Sequence, residues 1–254
     1  MNQAPSAAPI AWAAGSSTGI TRTVNEDAAY AGRWLFAVAD GMGGHVAGEV
    51  ASASAIAALH SYDAEASPAD LLDVLSRAVS RASGELRHRI EQDRGLAGMG
   101  TTLTTMLWSG HTFALAHIGD SRAYLLRSGR LRQLTEDHAL SNLVADSRNS
   151  PLLAPLMTRY LDGRPDRSPD LGLHEAMPGD RYLLCSDGLS AVVPEQAIRE
   201  ELEAGDDPAR IIDQLTELAN RAGGPDNITA IVIDALGCSP PSPAPPAAFG
   251  AAAR

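Results

Sequence analysis

Two apolar runs in this sequence finish in the same way. Residues 34–39 read W-L-F-A-V-A and lead straight into Asp40-Gly41, with Gly43, Gly44 and His45 close behind. Residues 182–185 read Y-L-L-C and lead through Ser186 into Asp187-Gly188. Each run is too short for a helix and too uniformly apolar for a strand with one wet face. Each is therefore expected as a strand buried on both sides. The glycines let the backbone fold tightly around whatever the aspartate holds. A carboxylate at the mouth of a buried strand is costly to desolvate unless it is paired or ligates a metal. A single Asp-Gly after a strand is ordinarily a turn. Two of them, each behind a fully apolar strand, point to a shared metal site.

Length and charge narrow the partners. A chain of 254 residues suits one large domain, or one domain plus a tail, and is long enough for a sizeable core. The formal charge of −11 argues against nucleic acid, because no basic surface would meet the phosphates. All 20 basic Lys+Arg residues are Arg, which leaves the guanidinium as the side chain available for gripping an anion, and its fork suits phosphate. Cys185 and Cys238 make no disulfide framework and fit a reducing compartment. No stretch resembles a signal peptide or a membrane span, so the expected location is the cytoplasm.

Taken in order, residues 1–8 are expected as a flexible leader and residues 9–236 as one domain. Residues 10–14 make a first strand. Residues 21–27 form a polar segment, which on its own reads as a solvated loop. Residues 46–61 and 67–94 have helical apolar spacing, the second opening on the Ser67-Pro68 signal. Strands at 101–108, 112–118, 123–127 and 131–134 follow, split by Ser109-Gly110, Gly119-Asp120 and Ser128-Gly129, which predicts a meander of hairpins. A proline-bearing insert at about 139–167 breaks the rhythm, and its 141–160 core is expected as a flap that sets substrate choice. After strands at 171–175 and 182–185 come helices at 194–203 and 207–221 and a last strand at 228–233. Residues 237–254, rich in Pro and Ala, are expected to be a disordered tail. Helix pair, strands, helix pair and strand is no βαβ alternation. It predicts an α+β fold, a four-layer α/β/β/α sandwich of two antiparallel sheets flanked by antiparallel helix pairs.

Glu26, Asp27, Asp40, Asp120, Asp187 and Asp226 all fall in loops or at strand ends. Carboxylates gathered without His or Cys suit hard ions, Mg²⁺ or Mn²⁺, rather than zinc. A pair of such ions offers an activated hydroxide and a clamp for in-line attack on phosphorus. Arg22, beside the first acids, is placed to hold phosphate oxygens.

The order of these elements carries a resemblance. Arg22-x-x-Asn25-Glu26-Asp27, Asp40-Gly41-Met42-Gly43-Gly44-His45, Gly100-Thr101-Thr102, Gly119-Asp120-Ser121-Arg122, Leu134-Thr135-Glu136-Asp137-His138, Ser186-Asp187-Gly188 and Gly224-Pro225-Asp226-Asn227-Ile228-Thr229 follow one another along the chain. Together they resemble the bacterial form of the metal-dependent type 2C (PPM) Ser/Thr protein phosphatases. The resemblance spans residues from about 10 to 235. It implies hydrolysis of phosphoserine and phosphothreonine on proteins by a metal-activated hydroxide, with two or three Mn²⁺ or Mg²⁺ ions. It implies that Asp40 bridges two ions, that Gly41 lends its carbonyl, and that Asp187 and Asp226 complete the pair. Glu26 and Asp27 match acids that act through water or from behind, and Asp120 with Asp187 matches a third site. Arg22 matches the phosphate-binding arginine, while Thr101, Thr102 and Asn227 brace the site. The implied partners are phosphorylated Ser/Thr proteins, a Ser/Thr kinase among them.

His45 is the candidate general acid for the leaving alkoxide, with the start of the following helix as its plainer reading. His138 is read as structural, and His60, His88, His111, His117 and His174 as surface or satisfied core. Cys185 lies inside a strand with no His or Arg signature around it, which argues against a thiol mechanism. The rival to an enzyme is a phosphatase-like regulatory domain that binds partners without turnover. A third reading keeps the chemistry and changes the substrate to phosphorylated anti-sigma antagonists or other regulators.

Overall fold

The computed structural model describes residues 9–43, 46–140, 157–205, 207–237 and 245–253. The leader, His45 and the 141–156 part of the insert lie outside the described residues. Among those described, two antiparallel sheets pack face to face. The first holds β1 (Ile10–Ser17), β11 (Ile228–Ala235), β10 (Arg181–Cys185), β7 (Arg122–Arg127) and β8 (Arg130–Gln133), in that order. The second runs β12 (Ala247–Gly250), β2 (Asp27–Ala31), β3 (Leu35–Met42), β5 (Leu103–Ser109), β6 (Thr112–Ile118) and β9 (Asp170–Glu175), with β4 (Gly100–Thr101) on the far end of β3. Helices α1 (Val46–Leu59) and α2 (Leu71–Gln92) cover the second sheet. A short α3 (Asp187–Ser190) and helices α4 (Glu195–Glu203) and α5 (Pro208–Arg221) cover the first. The four-layer sandwich is thus the observed fold.

The alternation of β3 explains its unbroken apolar sequence. Leu35, Ala37 and Ala39 face α1 and α2, while Phe36 and Val38 enter the core between the sheets. β10 does the same: Leu183 and Cys185 face the helices, and Tyr182 and Leu184 turn inward. With a wet face on neither side, both strands need apolar residues at every position.

The expected meander is corrected at one turn. β5 and β6 form a hairpin, as do β7 and β8, but Gly119-Asp120 carries the chain from the second sheet to the first. β6 pairs onward with β9, and β7 with β10, so the two strands never meet. Gly119 makes the crossing possible: its φ is +116°, and a Cβ there would lie 2.5 Å from the Thr102 side chain.

Three further departures have local causes. The 101–108 strand breaks at Thr102, whose N–H donates to the Asp40 carbonyl (2.9 Å). Ser67-Pro68 opens a turn before the helix, Ser67 Oγ donating to Asp70 (2.7 Å), and α2 begins only at Leu71. The tail expected to be disordered contains β12, which pairs antiparallel with β2. β2 itself, D-A-A-Y-A, went unforeseen because alanine carries little strand signal.

Candidate active site

At one end of the sandwich a cavity of about 790 Å³ opens between the sheets. Arg22, Glu26, Asp40, Gly41, Asp120, Asp187 and Asp226 all line it. Asp40 comes from the end of β3, Glu26 from the loop before β2, and Asp120 from the crossing. Asp187 opens α3, and Asp226 precedes β11. Residues far apart in sequence meet here because each acid lies beside a strand end, before it or after it, at the same edge of the sandwich. His45 lies outside the described residues.

The glycines of the two Asp-Gly pairs act through close approach rather than through a turn, since neither has a positive φ. A Cβ on Gly41 would stand 2.1 Å from the Gly48 carbonyl oxygen, where α1 passes over β3. A Cβ on Gly188 would stand 1.9 Å from the Asn227 carbonyl oxygen. Each glycine lets a neighbouring backbone come in against its aspartate.

The expected braces take specific positions. The Asn227 side chain accepts from the Glu26 N–H (2.8 Å) and donates to the carbonyls of Thr18 (3.0 Å) and Val24 (2.9 Å), fixing the loop that carries Arg22 and Glu26. Thr102 Oγ1 accepts from the Asp40 N–H (2.9 Å) and meets Ser121 Oγ (2.7 Å), coupling β3 to the crossing. Thr101 Oγ1 donates to the Asp40 carbonyl (2.9 Å). Asp27 is not on the cavity wall. It is buried behind it, accepting from Ser186 Oγ (2.7 Å), which in turn accepts from the Thr229 N–H (3.0 Å).

Electrostatically the site is a set of crowded anions. Burial, then the charges of Asp27, Asp187 and Asp120, push the Asp40 carboxyl well above its ordinary range. Burial, then Asp187 and Asp137, raise Asp120 to about 7. Asp27 is raised to about 7, chiefly by burial and against the hydrogen bond of Ser186. Asp187 is raised as well, burial outweighing the hydrogen bond it shares with Asp40. Arg22 reaches in from the rim, Nη2 donating to Asp226 Oδ2 (2.7 Å). Burial pulls its guanidinium down, and the charge and hydrogen bond of Asp226 outweigh that and raise it.

The donor set fits hard divalent cations. It consists of carboxylate and carbonyl oxygens, with no His or Cys among the described wall residues. Asp187 Oδ1 is buried without a hydrogen-bond partner among the described residues, an oxygen whose desolvation a cation would offset. As they stand, no three of these side chains among the described residues are drawn together tightly enough to hold one ion.

Two charged residues of the wall, Arg122 and Asp137, carry no role of their own in the sequence reading. Arg122 grips Asp137 with Nε and Nη2 (3.0 and 2.7 Å) and donates through Nη1 to Tyr124 Oη (3.0 Å). Their signal was available, since Arg122 follows Asp120 by two residues and Asp137 sits in the T-E-D-H element. His138 is structural: it is buried, and its Nδ1 accepts the Gly119 N–H (3.1 Å), which secures the crossing. His117 beside it is lowered to about 4 by burial and by His138, and so stays neutral. The Cys185 thiol is buried and pushed up to about 12, chiefly by burial, which fits no thiolate nucleophile.

Residues 14–232 match the family described as protein phosphatase 2C. The Ser/Thr protein phosphatase PstP of Mycobacterium tuberculosis is 46% identical over 234 residues, covering 89% of this chain and 45% of that protein. The chain therefore spans about half the length of that relative. The Ser/Thr phosphatase stp of Listeria monocytogenes is 35% identical over 78% of this chain and 82% of its own length. Among solved structures, the Mycobacterium tuberculosis phosphatase PstP/Ppp superposes with a TM-score of 0.84 at 45% identity, over 89% of this chain and 99% of that one. A PstP catalytic domain in complex with two manganese ions gives 0.83 at 47% identity, over 89% and 98%.

Proposed function

The chain belongs to the protein phosphatase 2C family, and on that footing we propose that it hydrolyses phosphoserine and phosphothreonine on proteins with the aid of Mn²⁺ or Mg²⁺. The observation that carries this reading is the convergence of acids from both sheets, with Arg22, on one cavity. The two manganese ions in the PstP structure support it by likeness. In this reading residues 9–236 are the phosphatase domain. Asp40, the Gly41 carbonyl, Asp187 and Asp226 hold the ion pair, Glu26 acts through water, and Asp120 with Asp187 forms a third site. Bound there, the ions supply an activated water for in-line attack and offset charge on the phosphoryl group.

The remaining roles belong to the chain's own groups. Arg22 turns from Asp226 toward the phosphoryl oxygens, its planar fork matching two of them. Asp27, held by Ser186, keeps the start of β2 fixed behind the acids. Arg122, gripped by Asp137, places a second positive charge on the wall. His45 is the candidate for protonating the leaving Ser or Thr oxygen.

The substrates in this reading are cytoplasmic phosphoproteins, a Ser/Thr kinase among them. Among the described residues no helix is long and apolar enough to cross a membrane. The test is turnover of para-nitrophenyl phosphate and of phosphoserine and phosphothreonine peptides by the full chain with and without Mn²⁺. Mn²⁺-dependent release of phosphate that Asp40→Asn abolishes supports the reading. A chain that binds phosphopeptides without releasing phosphate at saturating Mn²⁺ would instead be a regulatory binding domain.

A further inference from the structure

The seven residues from Ala247 to Ala253 are built into the fold although they lie beyond the 14–232 segment shared with the family. Ala247, Ala248, Phe249 and Gly250 pair with Ala31, Tyr30, Ala29 and Ala28 of β2. Phe249 packs against the core between the sheets, and Ala251 and Ala252 against the core under α1. Without this strand, β2 would present an unpaired edge whose own residues are buried throughout. The segment is uncharged, mostly alanine, with one aromatic and one glycine. Those are the marks of a strand held by main-chain bonds with a single side-chain anchor.

The glycine is the informative residue. Gly250 has φ +63°, and a Cβ there would lie 2.3 Å from the Asp27 carbonyl oxygen and 2.9 Å from Ser16 Oγ. Ser16 Oγ meets Thr229 Oγ1 (2.7 Å) and accepts from Asn25 (2.8 Å), and Asp27 accepts from Ser186. The tail therefore presses on the buried hydrogen-bond network that lies directly behind Glu26, Asp187 and Asp226. We propose that the outer edge of β2 is a strand-docking site, filled in cis by residues 247–253, and that filling it strengthens the hold of the acid cluster on divalent ions. A competing occupant would be an extended, uncharged segment with an aromatic residue followed by glycine. The coupling half of this proposal rests on the metal-binding reading above, whereas the docking half stands without it.

The test uses the full chain carrying Gly250→Val, which puts a β-branched side chain where neither the φ nor the space allows one. Amide exchange of residues 28–31 should rise in the variant while that of β5 and β6 stays as in the wild type. A labelled nonapeptide of residues 245–253 should bind the variant, reverse that rise, and fail to bind the wild-type chain. Mn²⁺ affinity, read from the paramagnetic resonance of the free ion, should fall roughly fivefold or more and return with the peptide. By reciprocity, Mn²⁺ should tighten peptide binding by the same factor. Unchanged exchange of residues 28–31, or a peptide that binds neither chain, overturns the docking site. A docked peptide that leaves Mn²⁺ affinity untouched overturns the coupling. A wild-type chain that binds no Mn²⁺ would refute the metal reading, and the peptide titration would still decide the docking. Phe249→Ala, which only removes the anchor, decides the same points should the valine variant fail to fold.

Discussion

Asp120→Asn should stabilise the metal-free protein, and by an amount that depends on pH in a definite direction. Asp120 stands at the sheet crossing, raised to about 7 from an ordinary 3.8 by burial first and then by Asp187 and Asp137. Its ionised form is thus disfavoured in the folded state and not in the unfolded one. Below about pH 4 both states hold the proton and the aspartate costs nothing. As pH rises through the interval up to about 7 the unfolded chain releases its proton and the folded chain does not. Stability falls across that window, and the full cost stands above it. At about 1.4 kcal/mol per pH unit, the distance from 3.8 to about 7 corresponds to roughly 4 kcal/mol as an upper figure. For a chain of this size that is a rise in Tm of about 10 °C. Thermal unfolding of both proteins in chelator between pH 4 and pH 8 measures it, with the gap widening as pH rises. Adding Mn²⁺ should narrow the gap by favouring the wild type. A gap that is flat with pH, or a variant less stable at pH 8, would refute the account of the site as repelling anions.

Asp40→Asn, Asp187→Asn and Asp226→Asn should each remove nearly all turnover and leave the circular dichroism unchanged; near-wild-type rates at saturating Mn²⁺ would contradict the shared metal site. Arg22→Ala should raise KM for phosphopeptides by about ten- to a hundredfold, the loss of roughly 1.5–3 kcal/mol from a charge-assisted contact. Weakened Mn²⁺ binding with an unaltered KM would make Arg22 the brace of Asp226, which it touches at 2.7 Å. Gly188→Ala should cost about 1–3 kcal/mol of stability, because its methyl would stand 1.9 Å from the Asn227 carbonyl oxygen. Chemical denaturation measures that, and a neutral result would mean the 226–227 loop is free to shift.

Asp40 and Asp187 were readable because each sits where an apolar run stops, and a buried strand has few other reasons to end in a carboxylate. The sandwich was readable from the order of elements, since a helix pair, a run of strands, a second helix pair and a last strand do not alternate as βαβ units. The sheet crossing was not. Gly119-Asp120 looks like any hairpin turn, and only the pairing of β6 with β9 and of β7 with β10 separates the two cases. β2 and β12 escaped because alanine-rich segments acquire their strand character from neighbours rather than from themselves. The resemblance left Glu26 and Asp27 alike, acting through water or from behind, and the structure separates them, with Asp27 behind the wall. Side by side in sequence, Glu26 and Asp27 point opposite ways once a strand begins between them. The sequence shows that the glycines permit tight folding, but their steric role depends on partners distant in the chain, Gly48 for Gly41 and Asn227 for Gly188.

The acids reach the cavity from different layers: Glu26 and Asp40 from the second sheet, Asp187 and Asp226 from the first. The distances between them are thus set by how the two sheets lie on each other, and that is set by Phe36, Trp108, Phe113, Tyr182 and Ile231 in the layer between. The inner core works as the frame of a caliper whose jaws are the carboxylates. A conservative change deep in that layer, such as Phe36→Leu, can pass every test of folding and still alter which ion the jaws fit. Selectivity between Mn²⁺ and Mg²⁺, whose demands on ligand spacing differ, becomes a gauge of packing at residues that touch neither ion.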